Sequence, residues 1–298
     1  MIRTPARAWP ALRRSLTYAI LLSWSAVCLF PILWLAVTSL KPEAAIAEGP
    51  TFLPFVDFRP TLEAWALILA DPFNTFLPRL FNSAVIAAAS TMLALLFGGL
   101  AIYALTRCHL ATPWGSAGRG RMVLAALLST RVLPPAAIAL PLYMMAQHAG
   151  MMDTRMALIA VYTTANVPVA IWLMQPVLGL RATEQEDAAR LDGASHLLIV
   201  FSILLPMSAG GIAAAGFLVF TLCWNEYILA AYLAADHAMT LPPWAIGQIS
   251  NKEAQTGSSI GEWASFSAAT ILMALPLAAV SGLVQKVLAR ATVWRAVI

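Results

Sequence analysis

Six apolar runs, each long enough to cross a lipid bilayer, constrain this chain of 298 residues more than any other feature. A spanning helix needs about 20 apolar residues, because the hydrocarbon core is about 30 Å thick and each helical residue rises about 1.5 Å. Lipid offers no partner for an unpaired backbone group, so these runs are expected to be helices. The predicted spans cover residues 15–39, 79–106, 122–147, 156–178, 208–235 and 263–285.

The composition argues against a soluble protein. Hydrophobic residues make up 60% of the chain and charged residues 11%, whereas soluble proteins carry about 25% charged residues. This composition excludes a soluble enzyme, whose surface needs more charges, and it excludes a disordered regulator. The 18 basic residues are too scattered to indicate a nucleic-acid partner. The three cysteines lie far apart, which predicts neither a disulfide framework nor a zinc site. We expect an all-α integral membrane protein in contact with lipid.

The distribution of Lys and Arg predicts the orientation, because cytoplasmic loops carry an excess of both. Twelve of them fall in the N-terminal tail, the 107–121 and 179–207 loops and the C-terminus, against five on the other side. Both termini are therefore expected in the cytoplasm, which agrees with six crossings. The first run is longer than the core of a signal peptide and is expected to be retained. The predicted regions are a tail at 1–14, a six-helix domain at 15–285 and a tail at 286–298.

The segment 40–78 is expected outside and contains six of the 19 prolines. Proline at this density disfavours long regular structure. We expect a partly ordered cap with a short helix near 61–70.

The internal 179–207 loop is the most informative part of the sequence. Thr183 followed by Glu186 forms a capping box, which predicts a helix running toward Asp192. Gly193 is expected to end or bend this helix, because glycine enters left-handed backbone at little cost. A second helix is expected from about 195 to 205, stopped by Pro206.

The first of these two helices has the composition of a docking surface. Two alanines leave one surface nearly bare, and acidic residues are expected to surround it: Glu184, Glu186, Asp187 and Asp192. A solvated hairpin between two spans is the alternative, and composition alone does not decide between them.

The spacing in this loop resembles the "EAA loop" of permease subunits of ATP-binding-cassette (ABC) importers. Every interval of that pattern fits Asp187-Ala188-Ala189, Gly193, Ile203, Leu205 and Pro206. Asp187 stands where the family usually has glutamate, which keeps the charge on a shorter side chain. Further segments resemble the carbohydrate branch of the family: Ser39-Leu40-Lys41-Pro42, Asn82-Ser83, Gly150 with Asp153-Thr154, and Trp224-Asn225-Glu226. The last eight residues depart from the branch's usual ending.

The resemblance implies a transport subunit with the type I ABC importer permease fold, in the bacterial cytoplasmic (inner) membrane, and not an enzyme. It implies a dimeric ATPase, a second homologous permease and an extracytoplasmic solute-binding protein as partners, and a carbohydrate or polyol as cargo. The chain has no G-x-x-x-x-G-K-[ST] loop, so ATP and Mg are expected on the ATPase and no cofactor on this chain. The residues expected to couple to the ATPase are Glu186, Asp187, Ala188, Ala189, Asp192 and Gly193.

Polar residues inside the spans are the candidates for the substrate pathway, because burying them in lipid is costly. Glu226 is the only acidic residue well inside a predicted span, and the candidates are Asn82, Trp224, Asn225 and Glu226. The alternatives are that Glu226 lies at the outer interface or pairs with Arg131, and that Asn82, Asn166 and Gln175 bond between helices. The glycine pairs at 98–99 and 210–211 are expected to allow close helix packing.

Trp224 and Glu226 cannot both face one narrow channel from a regular helix, because two residues turn it by about 200°. Either the helix is irregular there or one side chain faces a partner subunit. We expect Glu226 toward the pathway or the partner permease, and Trp224 toward neighbouring helices.

Two other classes of protein stay open at this point. An ion-coupled secondary transporter would require more spans and charged pairs within the membrane. A membrane-embedded enzyme would require a cluster of His, Asp or Ser at one depth, which the sequence does not contain.

Overall fold

The computed structural model describes residues 8–70, 75–107, 122, 125–178, 183–256 and 263–296. The helices are α1 (Ala8–Thr38), α2 (Glu43–Ala47), α3 (Glu63–Leu69), α4 (Phe76–Arg107), α5 (Pro135–His148), α6 (Arg155–Leu178), α7 (Thr183–Leu191), α8 (His196–Ile199), α9 (Leu205–Trp224), α10 (Ile228–Leu233), α11 (Leu241–Thr256) and α12 (Trp263–Ala296). The predicted all-helical membrane fold is confirmed.

Five helical segments in the described part are long and apolar enough to cross a membrane: Arg13–Thr38, Phe76–Ala104, Arg155–Leu178, His196–Trp224 and Trp263–Lys286. The first, second, fourth and sixth predicted runs coincide with four of them. α12 continues to Ala296, so residues 286–296 of the predicted tail extend the last helix. The predicted short helix near 61–70 is α3.

The predicted fifth span, 208–235, is wrong at both ends. Its helix begins at His196 and ends at Trp224. The prediction that Pro206 stops a separate helix is also wrong, because α8 passes through a π-helical turn (Val200–Leu204) directly into α9. Pro206 lies in the first turn of α9, directly after the π-helical turn, where the hydrogen-bonding register has already shifted. A proline at this position therefore costs the helix little stability.

The third predicted run, 122–147, is interrupted. Residues 125–129 are helical, a 3₁₀ turn follows at Thr130–Val132, and Leu133 and Pro134 are extended before α5 begins. A residue that precedes proline is driven out of the helical region, which explains a break at the Pro134-Pro135 pair.

The chain divides into two compact units. The unit formed by Phe73–Trp244 and Met273–Ile298 is built on α4, α6 and α9, which pack on one another. Small side chains line these contacts, with Ala94, Ala170 and Ser90 completely buried. A Cβ atom on Gly211 would lie 2.5 Å from the Val177 side chain, and one on Gly98 would lie 3.1 Å from Ala170. The predicted role of glycine in close helix packing is confirmed at these two positions.

The other unit comprises Met1–Pro72 and Ala245–Leu272. None of the apolar window of α1 is buried by protein. Beyond α1, the buried Lys41 lies 4.4 Å from the centre of the Trp34 ring and 5.6 Å from that of Phe58. Burial lowers the pKa of Lys41, opposed by the nearby carboxylate of Asp57.

Candidate functional site

α7 presents a mixed apolar and acidic face to solvent. Asp187, Ala188, Leu191 and Asp192 are exposed, and their positions fall on one side of a helix with 3.6 residues per turn. We call these four residues the docking face. Leu191 is 90% exposed, a large apolar side chain outside any candidate span.

The opposite side of α7 turns inward. Glu186 is 1% exposed and Ala189 is half-buried. The prediction that Glu186 belongs to an exposed acidic ring is therefore wrong, because its position lies about half a turn of helix away from the centre of the docking face. The side chains of Thr183 and Glu184, and with them the capping box, lie outside the described residues.

Gly193 ends α7 in the left-handed conformation, with φ +83°, as the sequence predicted. The N–H of Ala194 donates to the carbonyl of Ala189, and the N–H of Gly193 donates to that of Arg190. This pair of hydrogen bonds is the Schellman motif, which satisfies the last carbonyls of a helix. The chain then reverses, and the hydroxyl of Ser195 accepts from the N–H of Leu198 to start α8.

One side chain ties this corner to a spanning helix. His196 Nδ1 lies 2.8 Å from the hydroxyl of Tyr103 on α4, and the two rings meet edge to face. No local sequence pattern predicts this contact, since the residues lie 93 positions apart.

A cavity of about 590 Å³ lies in the same unit, among α5, α6, the end of α9 and α10. Most of its lining is apolar, including Leu142, Met145 and Leu222. Its polar lining residues are Thr130, Arg131, Tyr162, Thr164, Asn166 and Glu226. A mainly apolar cavity with a few converging polar groups is typical of a small-molecule site.

The interruption of the third run places Arg131 in this cavity. Its Nη2 donates a 2.6 Å hydrogen bond to Oδ1 of the buried Asn166. Asn166 in turn donates to the carbonyl of Tyr162 and, at 3.3 Å, to Sγ of Cys223. The sequence alternative that Asn166 bonds between helices is confirmed.

The backbone is irregular beside this cavity, which is one of the two alternatives that the sequence left open for Trp224 and Glu226. α9 ends at Trp224, and residues 225–227 separate it from α10. Glu226 lines the cavity, and its Oε1 accepts from the N–H of Leu229 at 3.0 Å. No salt bridge joins Glu226 to Arg131, although both belong to the described part of the chain.

The other residues of the Trp224-Asn225-Glu226 segment point elsewhere. Trp224 is 3% exposed, and its Nε1 donates to the carbonyl of Met273 on α12. This confirms the prediction that Trp224 faces neighbouring helices. Asn225 caps α9, donating from its side chain to the carbonyl of Thr221. Neither residue lines the cavity.

Asn82 also lies outside the cavity and holds a loop in place. Its Nδ2 donates to the carbonyls of His237 and Met239, and its Oδ1 accepts from Nε of Arg155 at 2.7 Å. The next residue, Ser83, accepts from the N–H of Leu241. Both side-chain amide hydrogens of Asn82 are thereby bonded within the protein. This agrees with the alternative that Asn82 forms structural hydrogen bonds between segments of the chain.

Asp153 also holds this loop. Its carboxylate accepts hydrogen bonds from four consecutive N–H groups, those of residues 235–238, at 2.9–3.1 Å. Burial acts to raise the pKa of Asp153, but the hydrogen bonds from Ala238, His237, Ala235 and Asp236 outweigh it and lower the pKa. The Asn82-Ser83 and Asp153-Thr154 segments thus hold the same loop by hydrogen bonds, and we call this arrangement the clamp.

The family follows from comparison with known proteins. The family model described as "Binding-protein-dependent transport system inner membrane component" matches residues 114–294, well over half of the chain. The chain belongs to this family. It is therefore a permease subunit of an ABC importer in the inner membrane, and not an enzyme. Membership excludes the ion-coupled secondary transporter and the membrane-embedded enzyme.

Relatives match over most of their length. The trehalose/maltose transport system permease protein MalG of Thermococcus litoralis is 28% identical over 87% of this chain and 88% of its own. The trehalose transport system permease protein SugB of Mycobacterium tuberculosis is 30% identical over 84% of this chain and 85% of its own. The sulfoquinovosyl glycerol transport system permease protein SmoH of Agrobacterium fabrum is 29% identical over 84% and 82%.

A solved structure supports the fold. A chain from a bacterial ABC transporter involved in the import of the acidic polysaccharide alginate superposes with a TM-score of 0.67 at 21% identity. The match covers 96% of this chain and 99% of the other. The type I ABC importer permease fold is thus confirmed.

Proposed function

We propose that this permease transmits ATP-driven motion through the docking face of α7 to a pathway that includes the Arg131–Glu226 cavity, and that it imports a carbohydrate or polyol. The observation that carries the proposal is the docking face itself. It combines an exposed Leu191, the small Ala188 and two carboxylates on a helix locked by Gly193.

The chemistry of the docking face fits a groove on a second protein. Exposed leucine in water is unfavourable, and burying it contributes about 1.5–3 kcal/mol. Ala188 lets a partner backbone approach closely, while Asp187 and Asp192 offer charge to basic groups at the rim of the groove. ATP and Mg belong on the dimeric ATPase in this proposal, since the chain has no phosphate loop.

The proposed topology has six crossings with both termini in the cytoplasm. Residues 125–148, interrupted at Thr130–Leu133, supply the sixth crossing beside the five continuous segments. Broken helices are tolerated at membrane depth where the irregular backbone lines a cavity, which is the position of Thr130, Arg131 and Leu133. The positive-inside rule then places α7 on the cytoplasmic side.

A second homologous permease completes the pathway in this account. None of the apolar window of α1 is buried by protein, so a pseudo-symmetric partner has apolar surface to cover. An extracytoplasmic solute-binding protein delivers the substrate, in keeping with the family's dependence on binding proteins.

The substrate class rests on two supports. Arg131, Asn166 and Glu226 present donors and acceptors of the kind that bind hydroxyl groups. Relatives are named for transport of trehalose, maltose, sulfoquinovosyl glycerol, diacetylchitobiose and melibiose.

Paired cysteine substitutions test the pathway. In a background without Cys28, Cys108 and Cys223, Glu226→Cys should react with a membrane-impermeant thiol reagent, and substrate with its binding protein should suppress the reaction. Trp224→Cys is the matched control and should stay unreactive, because that side chain is buried. A position 226 that stays silent in every transport state, together with full uptake by Glu226→Leu, would refute the proposal.

A further inference from the structure

Residues 51–58 form a loop with an unusually apolar tip, which we call the apolar loop. The exposed fractions are 51% for Phe52, 58% for Leu53, 85% for Phe55 and 78% for Val56. Single exposed apolar residues are normal on a protein surface, but a contiguous group of large ones marks a binding surface. Neither the coupling to the ATPase nor the cavity uses this loop.

The apolar loop has a defined shape. The N–H of Phe55 donates to the carbonyl of Phe58 at 2.8 Å, which closes the tip. Asp57 accepts from the N–H groups of Phe52 and Leu53 at 2.8 and 2.9 Å, so the only acidic side chain of the loop is turned onto its own backbone. Phe55 has φ +68°, a conformation that is uncommon for a residue other than glycine and that projects its ring outward.

Contacts with the end of α1 fix the level of the loop relative to the bilayer. The ring of Phe52 lies 5.1 Å from that of Trp34. Trp34 precedes the end of the span at Thr38 by four residues, or about 6 Å along the helix. Lys41 lies over Trp34 and Phe58 and donates to the carbonyl of Thr51, which holds the start and the end of the loop at the same level.

Trp34 lies about one turn from the end of the candidate span, and tryptophan is enriched at the boundary between hydrocarbon and head groups. Phe55 and Val56 follow Phe52 by three and four residues, so they lie within about 14 Å of it even in extended chain. The tip therefore stays within reach of the interfacial layer. Arg59, exposed just after the loop, supplies a cation for lipid phosphate.

We propose that the apolar loop is a lipid anchor, which inserts Phe55 and Val56 into the leaflet where α1 ends. Lipid fits better than a protein partner, because the tip offers no free carboxylate or amide for specific recognition and is tied to a membrane-depth tryptophan. The anchor would fix the height of the end of α1 in the bilayer.

Fluorescence quenching tests this in the full chain. Val56→Cys, in a background lacking the native cysteines, is labelled with an environment-sensitive dye and placed in phosphatidylcholine nanodiscs. A spin label at carbon five of the acyl chain should quench the dye at 56 at least about twofold more than aqueous iodide does. Glu48→Cys, an exposed charged position of the same segment, should show the reverse order.

Two results would overturn the proposal. One is quenching by iodide alone at position 56, which would place the tip in water. The other is protection from both quenchers, which would place it against protein.

A substitution series separates lipid insertion from general loss of structure. With the dye at Leu53→Cys, Phe55→Asn should make the label accessible to iodide, and asparagine keeps the positive φ at little cost. Leu62→Asn, which removes an apolar side chain that is 66% exposed and lies outside the loop, should leave the label unchanged. Equal effects of the two substitutions would contradict the proposal.

Discussion

Arg131 donates its 2.6 Å hydrogen bond to the side-chain oxygen of Asn166, and no salt bridge joins it to Glu226 among the described residues. The amide thus fixes the direction of the guanidinium without neutralising it. In the proposed function, neither Arg131 nor Glu226 is occupied by an ion pair with the other, so each can bind substrate.

Substitution of Arg131 tests this arrangement. Arg131→Gln removes the charge and should lower ATP-driven uptake about tenfold or more, since a hydrogen bond to a charged group contributes about 1.5–3 kcal/mol. Co-purification of the ATPase should be unaffected. Met145→Leu, a volume-conserving change in the same cavity, is the control and should transport normally. Normal uptake by Arg131→Gln would show that the cavity is outside the pathway.

The corner at Gly193 should be essential for coupling. A Cβ atom there meets no neighbour within 4 Å, so only the backbone opposes substitution. Gly193→Val should cost about 1–2 kcal/mol in the left-handed conformation and rotate the docking face. We expect normal membrane insertion with loss of ATPase association, or ATP hydrolysis without uptake. Gly193→Asn should retain most coupling, because asparagine tolerates positive φ. Equal coupling in both variants would argue against the corner.

A charge reversal on the docking face tests the acidic rim. Asp192→Lys leaves the backbone free to keep its conformation but opposes a basic rim on the ATPase. Uptake by reconstituted transporter should fall to near background, whereas Asp236→Lys, an exposed acid outside the docking face, should be tolerated. Wild-type uptake by Asp192→Lys would mean that this carboxylate does not face the partner.

The Asp153 clamp should hold the 235–238 backbone. Asp153→Asn should speed hydrogen exchange of these four amides by about tenfold or more at neutral pH, because charge-assisted hydrogen bonds are lost. The folded-state pKa lies below the ordinary value of 3.8, so the carboxylate's stabilisation is fully present above that pH. It is lost as pH falls through the lowered pKa. Unchanged exchange in Asp153→Asn would show that the clamp is not what orders the loop.

The sequence predicted what depends on short-range chemistry. The left-handed corner was predictable because glycine takes up φ +83° at little cost. An irregular helix at Trp224 was one of two alternatives, because two residues turn a helix by about 200°. The fifth span was misplaced because Pro206 was interpreted as a stop, whereas a π-helical turn carries the helix past it.

Long-range partners escaped the sequence analysis. Asn82 bonds to carbonyls 155 and 157 positions away, and Asp153 bonds to amides up to 85 positions away. No periodicity encodes such pairs, so Asn82 was assigned to the pathway on polarity alone. Glu186 was expected in the acidic ring around the two alanines, although helical geometry puts it on the side opposite the docking face.

The affinity of the ATPase for this permease in nanodiscs tests the central claim most directly. Leu191→Ala should weaken binding about tenfold or more, because burial of a leucine contributes about 1.5–3 kcal/mol. Leu140→Ala, which truncates an exposed leucine on α5, should leave the dissociation constant unchanged. A wild-type dissociation constant for Leu191→Ala would contradict the assignment of α7 as the surface that receives the ATPase.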